Sequence, residues 1–193
     1  GEGAFFGCEL LKDVVIGEES ELFEIGAYAF SETGLESFTF PLSVSIISEG
    51  LFENCALLTS VKFTLPEEGA EYEGMLAVSD YAFMNSGLKS IRLPYYTVAV
   101  GISAFEGCEA LESVSFGADS MLFYIGERAF AECDSLEAIK IPKSVISIEN
   151  ECFKECRSLK NISFSEGTEL QYIGECAFEN CLALEAIEIA RSV

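Results

Sequence analysis

An internal repeat constrains this chain more than any other feature, because self-similarity at a period of roughly 20 to 50 residues means a stacked array of short units. The anchors are Phe5, Phe30, Phe52, Phe83, Phe105, Phe130, Phe153 and Phe178, separated by steps of 25, 22, 31, 22, 25, 23 and 25 residues. Five positions before an anchor stand Ile25, Ile47, Val78, Val100, Ile125, Ile148 and Ile173. The next position holds Gly26, Ser48, Ser79, Gly101, Gly126 or Gly174, with Glu149 as the exception. A small residue precedes the anchor (Ala4, Ala29, Ala82, Ala104, Ala129, Cys152, Ala177), Leu51 being larger. Three positions after it come Cys8, Thr33, Cys55, Ser86, Cys108, Cys133, Cys156 and Cys181.

The spacing from the aliphatic residue to Ala-Phe and on to Cys follows one face of a two-turn helix, and the Gly or Ser after the aliphatic residue suits an N-cap. A Leu and two alternating apolar residues follow, as in "LESFTF", "LTSVKF", "LKSIRL", "LESVSF", "LEAIKI", "LKNISF" and "LEAIEI". That alternation predicts a short half-buried strand. One strand and one short helix cannot bury their own apolar faces, so the units must stack with strands parallel. The expected fold is therefore an α/β solenoid of eight coils over residues 1–193, with a parallel sheet on the concave face and short helices on the convex face. The apolar coil at each end suggests a longer array or end-to-end self-association.

Alternate coils differ. Pro41, Pro94 and Pro142 directly follow their strands, where the missing N–H ends the ladder. The other coils carry longer acidic connections, "GEESELFEIG", "GADSMLFYIG" and "SEGTELQYIG". In the third coil this connection grows into "TLPEEGAEYEGMLAV", and insertions in rigid repeats often carry function.

With 33 Asp and Glu against 11 Lys and Arg, the formal charge of -22 repels nucleic acid phosphates and anionic lipid head groups. No apolar run is long enough for a membrane span. Histidine is absent, which removes Ser-His-Asp and Cys-His catalysis and the common zinc sites with His ligands.

The run "IGERAFAECDSLEAIKIP" and its copies along the chain resemble the BspA-like, treponemal-type leucine-rich repeat. The resemblance implies a right-handed leucine-rich solenoid, an extracellular or cell-surface location, and adhesion to a protein ligand such as host extracellular matrix or another surface protein. It brings no catalytic residue, cofactor or metal. Two coils depart from it, with Thr33-Gly34 and Ser86-Gly87 in place of Cys and two further residues.

Cys152 and Cys156 have the i, i+4 spacing of a metal or redox pair, yet the repeat explains both. Cys156 occupies a slot that also accepts Thr33 and Ser86, and Cys152 replaces an alanine, so both are expected as buried free thiols. Cys176 occupies a slot otherwise filled by Tyr28, Gly50, Tyr81, Ser103, Arg128 and Glu151, a surface set, and is the reactive-thiol candidate. Glu18, Glu19, Glu21 and Glu24, like Glu67, Glu68, Glu71 and Glu73, read as solvated loops without the ligand spacing of a calcium site.

Between the two apolar strand positions stand Val15, Thr39, Lys62, Arg92, Ser115, Lys140, Ser163 and Glu188, a column that a partner can read. Its three cations are conspicuous in so acidic a chain. Thr39, Lys62, Arg92, Ser115, Lys140 and Ser163 are the candidate contact residues on the strands, and Tyr72, Tyr95 and Tyr96 the candidate loop anchors. A solenoid glycosidase or lyase built on a carboxylate pair, and a purely structural spacer, are the alternatives.

Overall fold

The computed structural model describes residues 1–17, 20–67 and 72–189. Six strands with the expected alternation, β1 (Ser37–Phe40), β3 (Ser60–Phe63), β5 (Ser90–Leu93), β7 (Ser113–Phe116), β9 (Ala138–Ile141) and β11 (Asn161–Phe164), pair in parallel in sequence order. A second parallel sheet joins β2 (Ile46–Ile47), β4 (Leu76–Val78), β6 (Thr97–Val100), β8 (Tyr124–Ile125), β10 (Ser147–Ile148) and β12 (Tyr172–Ile173). The result is a parallel β-solenoid of about six turns, one strand of each sheet per turn. The segments around Val15 and Glu188, expected as strands of the outermost coils, are not strands.

The expected convex helices are absent from the described residues, and the aliphatic residues assigned to their faces lie instead in the second sheet or, for Ile25, just before the turns of its coil. After that sheet each coil runs through consecutive turns. Two residues before each anchor the backbone is left-handed, at Gly3, Tyr28, Gly50, Tyr81, Ser103, Arg128, Glu151 and Cys176. Two residues after it the same holds, at Gly7, Glu32, Asn54, Asn85, Gly107, Glu132, Glu155 and Asn180. Two left-handed residues in five forbid an α-helix. What replaces the helical bonds is a ladder between coils. Tyr28, Phe30 and Glu32 donate their N–H groups to the carbonyls of Glu49, Leu51 and Glu53 in the next coil, at 2.9, 3.1 and 2.9 Å. Intervening groups close turns within the coil, as Ala29 to Gly26 and Ser31 to Tyr28, both 3.2 Å. The three-bond pattern recurs from the coil of Phe5 to that of Phe178.

The ladder aligns the anchors into one ring stack. Neighbouring phenylalanine centroids, from Phe5 through to Phe178, lie 5.1–5.7 Å apart with planes within 14° of parallel. Phe52, Phe83, Phe105, Phe130 and Phe153 are fully buried, as are Leu35, Leu58, Leu88, Leu111, Leu136 and Leu159 at the start of the strand segments. Each such side chain removes about 1.5–3 kcal/mol worth of apolar surface from water.

The Cys slot has a specific role. The thiols of Cys55, Cys108, Cys133, Cys156 and Cys181 donate to the carbonyls of Phe30, Phe83, Phe105, Phe130 and Phe153 in the preceding coil, at 3.0–3.3 Å. Thr33 donates to the carbonyl of Phe30 in its own coil at 2.7 Å, and Ser86 Oγ lies 3.3 Å from Cys108 Sγ. The slot needs a small donor, which Cys, Thr and Ser all supply. All eight cysteines are free thiols, including the buried Cys152 and Cys156. In the two shortened coils a side chain at Gly34 or Gly87 would collide with the carbonyl oxygen of Glu9 or Ala56 in the preceding coil.

Candidate functional site

The first sheet presents its polar positions outward. Phe38, Val61, Ile91, Val114, Ile139 and Ile162 point into the core, and the residues after them point away from it. Register places Thr39 beside Lys62, Arg92 beside Ser115 and Lys140 beside Ser163. The pairs Ser60 with Ser90 and Ser113 with Ala138, each two residues earlier, join these into one column. All six candidate contact residues are exposed and contiguous. At the end positions of the column, Val15 and Glu188 are exposed but lie outside the strands.

Among the described residues Lys62, Arg92 and Lys140 make no ion pair. The cations on the turn face behave differently. Arg128 makes a bidentate contact with Glu106, at 2.7 and 3.1 Å, and also binds Glu132 and Glu151. Its guanidinium pKa rises, chiefly through the bond to Glu106. Lys154 bridges Glu151 and Glu179 at 3.0 and 3.3 Å.

A groove of about 410 Å³ opens beside two of the unpaired cations. Lys62 and Arg92 stand on its polar side, and Phe63, Leu65, Pro94 and Tyr95 line the rest. Gly117 lies against Tyr95, where a Cβ would meet the Tyr95 backbone nitrogen at 2.6 Å. A second groove of about 400 Å³ lies beside Ser115, Lys140 and Lys143, with Asp119 on its wall.

The three tyrosines form one cluster. Tyr72 packs edge-on against Tyr96, and Tyr95 against Tyr96, with centroids 4.8 and 5.3 Å apart. Tyr72 donates to the carbonyl of Leu42 at 3.1 Å and so ties the end of the insertion to the β1–β2 connection of the preceding coil. Tyr96 is only 3% exposed, with its phenol pushed up to about 12 by burial and the neighbouring tyrosines. This corrects its expected role: Tyr96 is a core support for Tyr72 and Tyr95, both half-buried, and presents no surface of its own. Burial also raises the Tyr72 phenol, helped by Tyr95.

Cys176 is exposed, as its slot implies. The Glu179 carboxylate beside it raises the thiol pKa, so its accessibility is not accompanied by activation. Glu21, Glu24, Glu67 and Glu73 are exposed, whereas Glu18, Glu19, Glu68 and Glu71 lie outside the described residues. No cluster of three or more Cys, Asp or Glu side chains with metal-binding geometry occurs among the described residues.

The left-handed positions and the second sheet were missed by sequence reasoning. A signal existed: Gly3, Gly50, Gly7 and Gly107 fall in these slots, together with Asn54, Asn85 and Asn180, the residue types that tolerate positive φ.

Comparison with known proteins agrees with this architecture. Six copies of the BspA type Leucine rich repeat region match residues 1–70 and 77–193. A leucine rich repeat protein of Treponema pallidum has a similar crystal structure, with a TM-score of 0.68 and 22% identity over 84% of this chain and 72% of that one. The pneumococcal vaccine antigen PcpA is also similar, with a TM-score of 0.53 and 23% identity over 82% of this chain. The match spans about half, 52%, of PcpA. Sequence comparison with curated proteins gives no significant match. The repeat, the two parallel sheets and the matched sequence pattern together place this chain in the BspA-type leucine-rich repeat family.

Proposed function

We propose that the chain is a non-enzymatic binding module of a surface or secreted adhesion protein, and that it holds a protein ligand on the outward column of its first sheet. Thr39, Lys62, Arg92, Ser115, Lys140 and Ser163 form the contact strip, with Tyr72 and Tyr95 at its margin. The observation that carries this reading is that Lys62, Arg92 and Lys140 make no ion pair among the described residues, in so acidic a chain. A cation that already holds a carboxylate, such as Arg128, gains little from another, whereas an unpaired cation beside an apolar groove is available to an incoming one. The fitting partner carries Asp or Glu near an aliphatic or aromatic side chain. Host extracellular matrix proteins are the class to test first, as the family resemblance implies.

The test is charge reversal at three exposed positions, Lys62→Glu with Arg92→Glu and Lys140→Glu, followed by surface plasmon resonance against a panel of extracellular matrix proteins. Binding by the wild type that weakens at least roughly tenfold in the variant, and weakens with added salt, supports the reading. Binding unaltered by the reversal removes the column from the contact surface. A spacer predicts no binding by either form, and a carboxylate-dependent hydrolase predicts release of reducing ends from polysaccharide.

A further inference from the structure

The second sheet has an outward face whose chemistry is opposite to that of the first. In the coils of β2, β6, β8 and β10 two buried residues bracket two that point out, as Leu122 and Ile125 bracket Phe123 and Tyr124, whereas the coil of β4 has only Ala77 between Leu76 and Val78. Two adjacent columns result. One runs Ile46, Ala77, Ala99, Tyr124, Ser147, Tyr172 by strand register. The other runs Val98, Phe123, Ile146, Gln171 through backbone bonds from each residue to the carbonyl of the previous one, at 3.1, 3.3 and 2.9 Å.

These columns are unusually apolar for a solvent face. Phe123 is 49% exposed and Ile146, in the next coil, 43%. Ile46 and Tyr172, at opposite ends of the first column, are also exposed. Consecutive exposed apolar residues, unlike scattered ones, mark a surface that another molecule covers. At coil spacings of about 4.8 Å the stripe extends over roughly 25 Å.

The edge of the stripe is anionic. Asp80, Glu127 and Glu149 stand one or two residues past the ends of β4, β8 and β10, and burial first, then Glu149, Asp80 and Glu127, raise the Tyr124 phenol pKa. None of the three is in an ion pair among the described residues, although Asp80 also accepts the Ile102 N–H at 2.7 Å. A second copy of this chain is a poor occupant, because face-to-face pairing would bring two such carboxylate edges together in molecules of net charge -22 each. A partner with apolar side chains flanked by Lys or Arg satisfies both features at once.

We propose that the outward face of the second sheet, centred on Phe123, Ile146 and Tyr124 and edged by Asp80, Glu127 and Glu149, docks a basic amphipathic polypeptide segment. Its apolar side chains lie along the stripe, and its cations meet the carboxylates. This surface is separate from the column of Lys62, Arg92 and Lys140 and does not depend on the function proposed for that column.

The probe is a fluorescein-labelled Lys/Leu amphipathic peptide of about five helical turns, read by anisotropy with the 193-residue chain at two salt concentrations. A Glu/Leu peptide and an oligolysine of the same length are the comparison probes. The expected result is saturable binding of the Lys/Leu peptide that weakens with salt and falls at least roughly tenfold on Phe123→Glu with Ile146→Glu. Leu182→Glu, at another exposed apolar residue, leaves it unchanged, and Lys62→Glu with Arg92→Glu does not weaken it. Circular dichroism checks the fold, and Phe123→Ser with Ile146→Thr replaces the charged variant if that one does not fold. Equal binding of oligolysine reduces the surface to charge alone and overturns the proposal, as does equal binding of the Glu/Leu peptide. Absence of saturable binding overturns it too. So does sedimentation showing a wild-type dimer that the double variant abolishes, which would make a second copy the occupant.

Discussion

The thiol of Cys156 donates a hydrogen bond to the carbonyl oxygen of Phe130, 3.0 Å away in the preceding coil. Both groups are buried, so removing the donor leaves an acceptor unpaired away from water. Cys156→Ser, which keeps a donor, is expected to cost under about 1 kcal/mol, and Cys156→Ala about 1–3 kcal/mol from the lost bond and the small void. Urea unfolding of the two variants measures the difference; equal losses would show that volume alone governs the slot.

Thiol labelling separates the cysteines by exposure. Cys8 and Cys176 are exposed, while Cys108, Cys133, Cys152 and Cys156 are fully buried with thiol pKa values raised first by desolvation. Under native conditions a disulfide reagent should label Cys176 well before this buried set. Because Glu179 raises the Cys176 pKa, Glu179→Gln lowers it, increases the thiolate fraction below pH 9, and speeds labelling. A rate unchanged by this substitution would contradict the electrostatic account.

The ring stack should be felt wherever it is interrupted. Phe105 lies between Phe83 and Phe130 at 5.1 and 5.2 Å and has no exposed surface. Phe105→Ala is expected to cost about 3–5 kcal/mol, and Phe105→Leu less, since it keeps most of the volume. Thermal and urea denaturation read both losses.

Glu32 holds a left-handed conformation, with φ of 57°, that non-glycine residues adopt at a cost. Glu32→Gly relieves that cost and one of the carboxylate neighbours that raise the Glu53 pKa. The expected change is a gain of up to about 1 kcal/mol, against a loss of about 1–2 kcal/mol for Glu32→Val. A loss with glycine would mean that the lost conformational freedom outweighs the strain.

Glu151 and Glu53 predict opposite responses to acid. Lys154 and then Arg128 hold the Glu151 carboxyl below its ordinary value of 4.5, so its folded form binds fewer protons than its unfolded form near that pH. Its contribution is present above about 4.5 and is lost as pH falls through the lowered folded value. Burial first, then Glu32 and Glu49, raise the Glu53 pKa, so Glu53 costs stability at neutral pH and that cost is relieved on acidification. Glu151→Gln should flatten the acid-side loss of stability, and Glu53→Gln should raise the urea midpoint at pH 7.

The six strands of the first sheet, their outward column and the core role of the anchors and cysteines follow from spacing alone, because period-two alternation and a recurring slot are local statements about one unit; the same spacing around Val15 and Glu188 forms no strand. The turn face did not follow. Its apolar spacing is the same for a two-turn helix and for a run of turns that directs Ile125, Ala129, Phe130 and Cys133 inward. What separates the two is the destination of the backbone N–H groups. In a helix they bond within the segment; here Arg128, Phe130 and Glu132 bond to Asn150, Cys152 and Lys154 of the next coil. Such a bond cannot be read from one unit, since its acceptor belongs to another.

Tyr96 makes the same point at the candidate site. Beside Tyr95 in sequence it reads as a second surface aromatic, yet Tyr72, brought back from the third-coil insertion, covers it and leaves Tyr95 half-buried at the groove. That Lys62, Arg92 and Lys140 make no ion pair among the described residues was likewise hidden, because ion pairing depends on which carboxylates lie within about 4 Å across coils. The sequence by itself determined the repeat, the parallel first sheet and the residues that face its two sides. The tertiary structure alone decided the second sheet, the left-handed turns and the two surfaces of opposite character, because hydrogen bonds and charge pairs between coils select among conformations that a single coil's apolar spacing leaves equivalent.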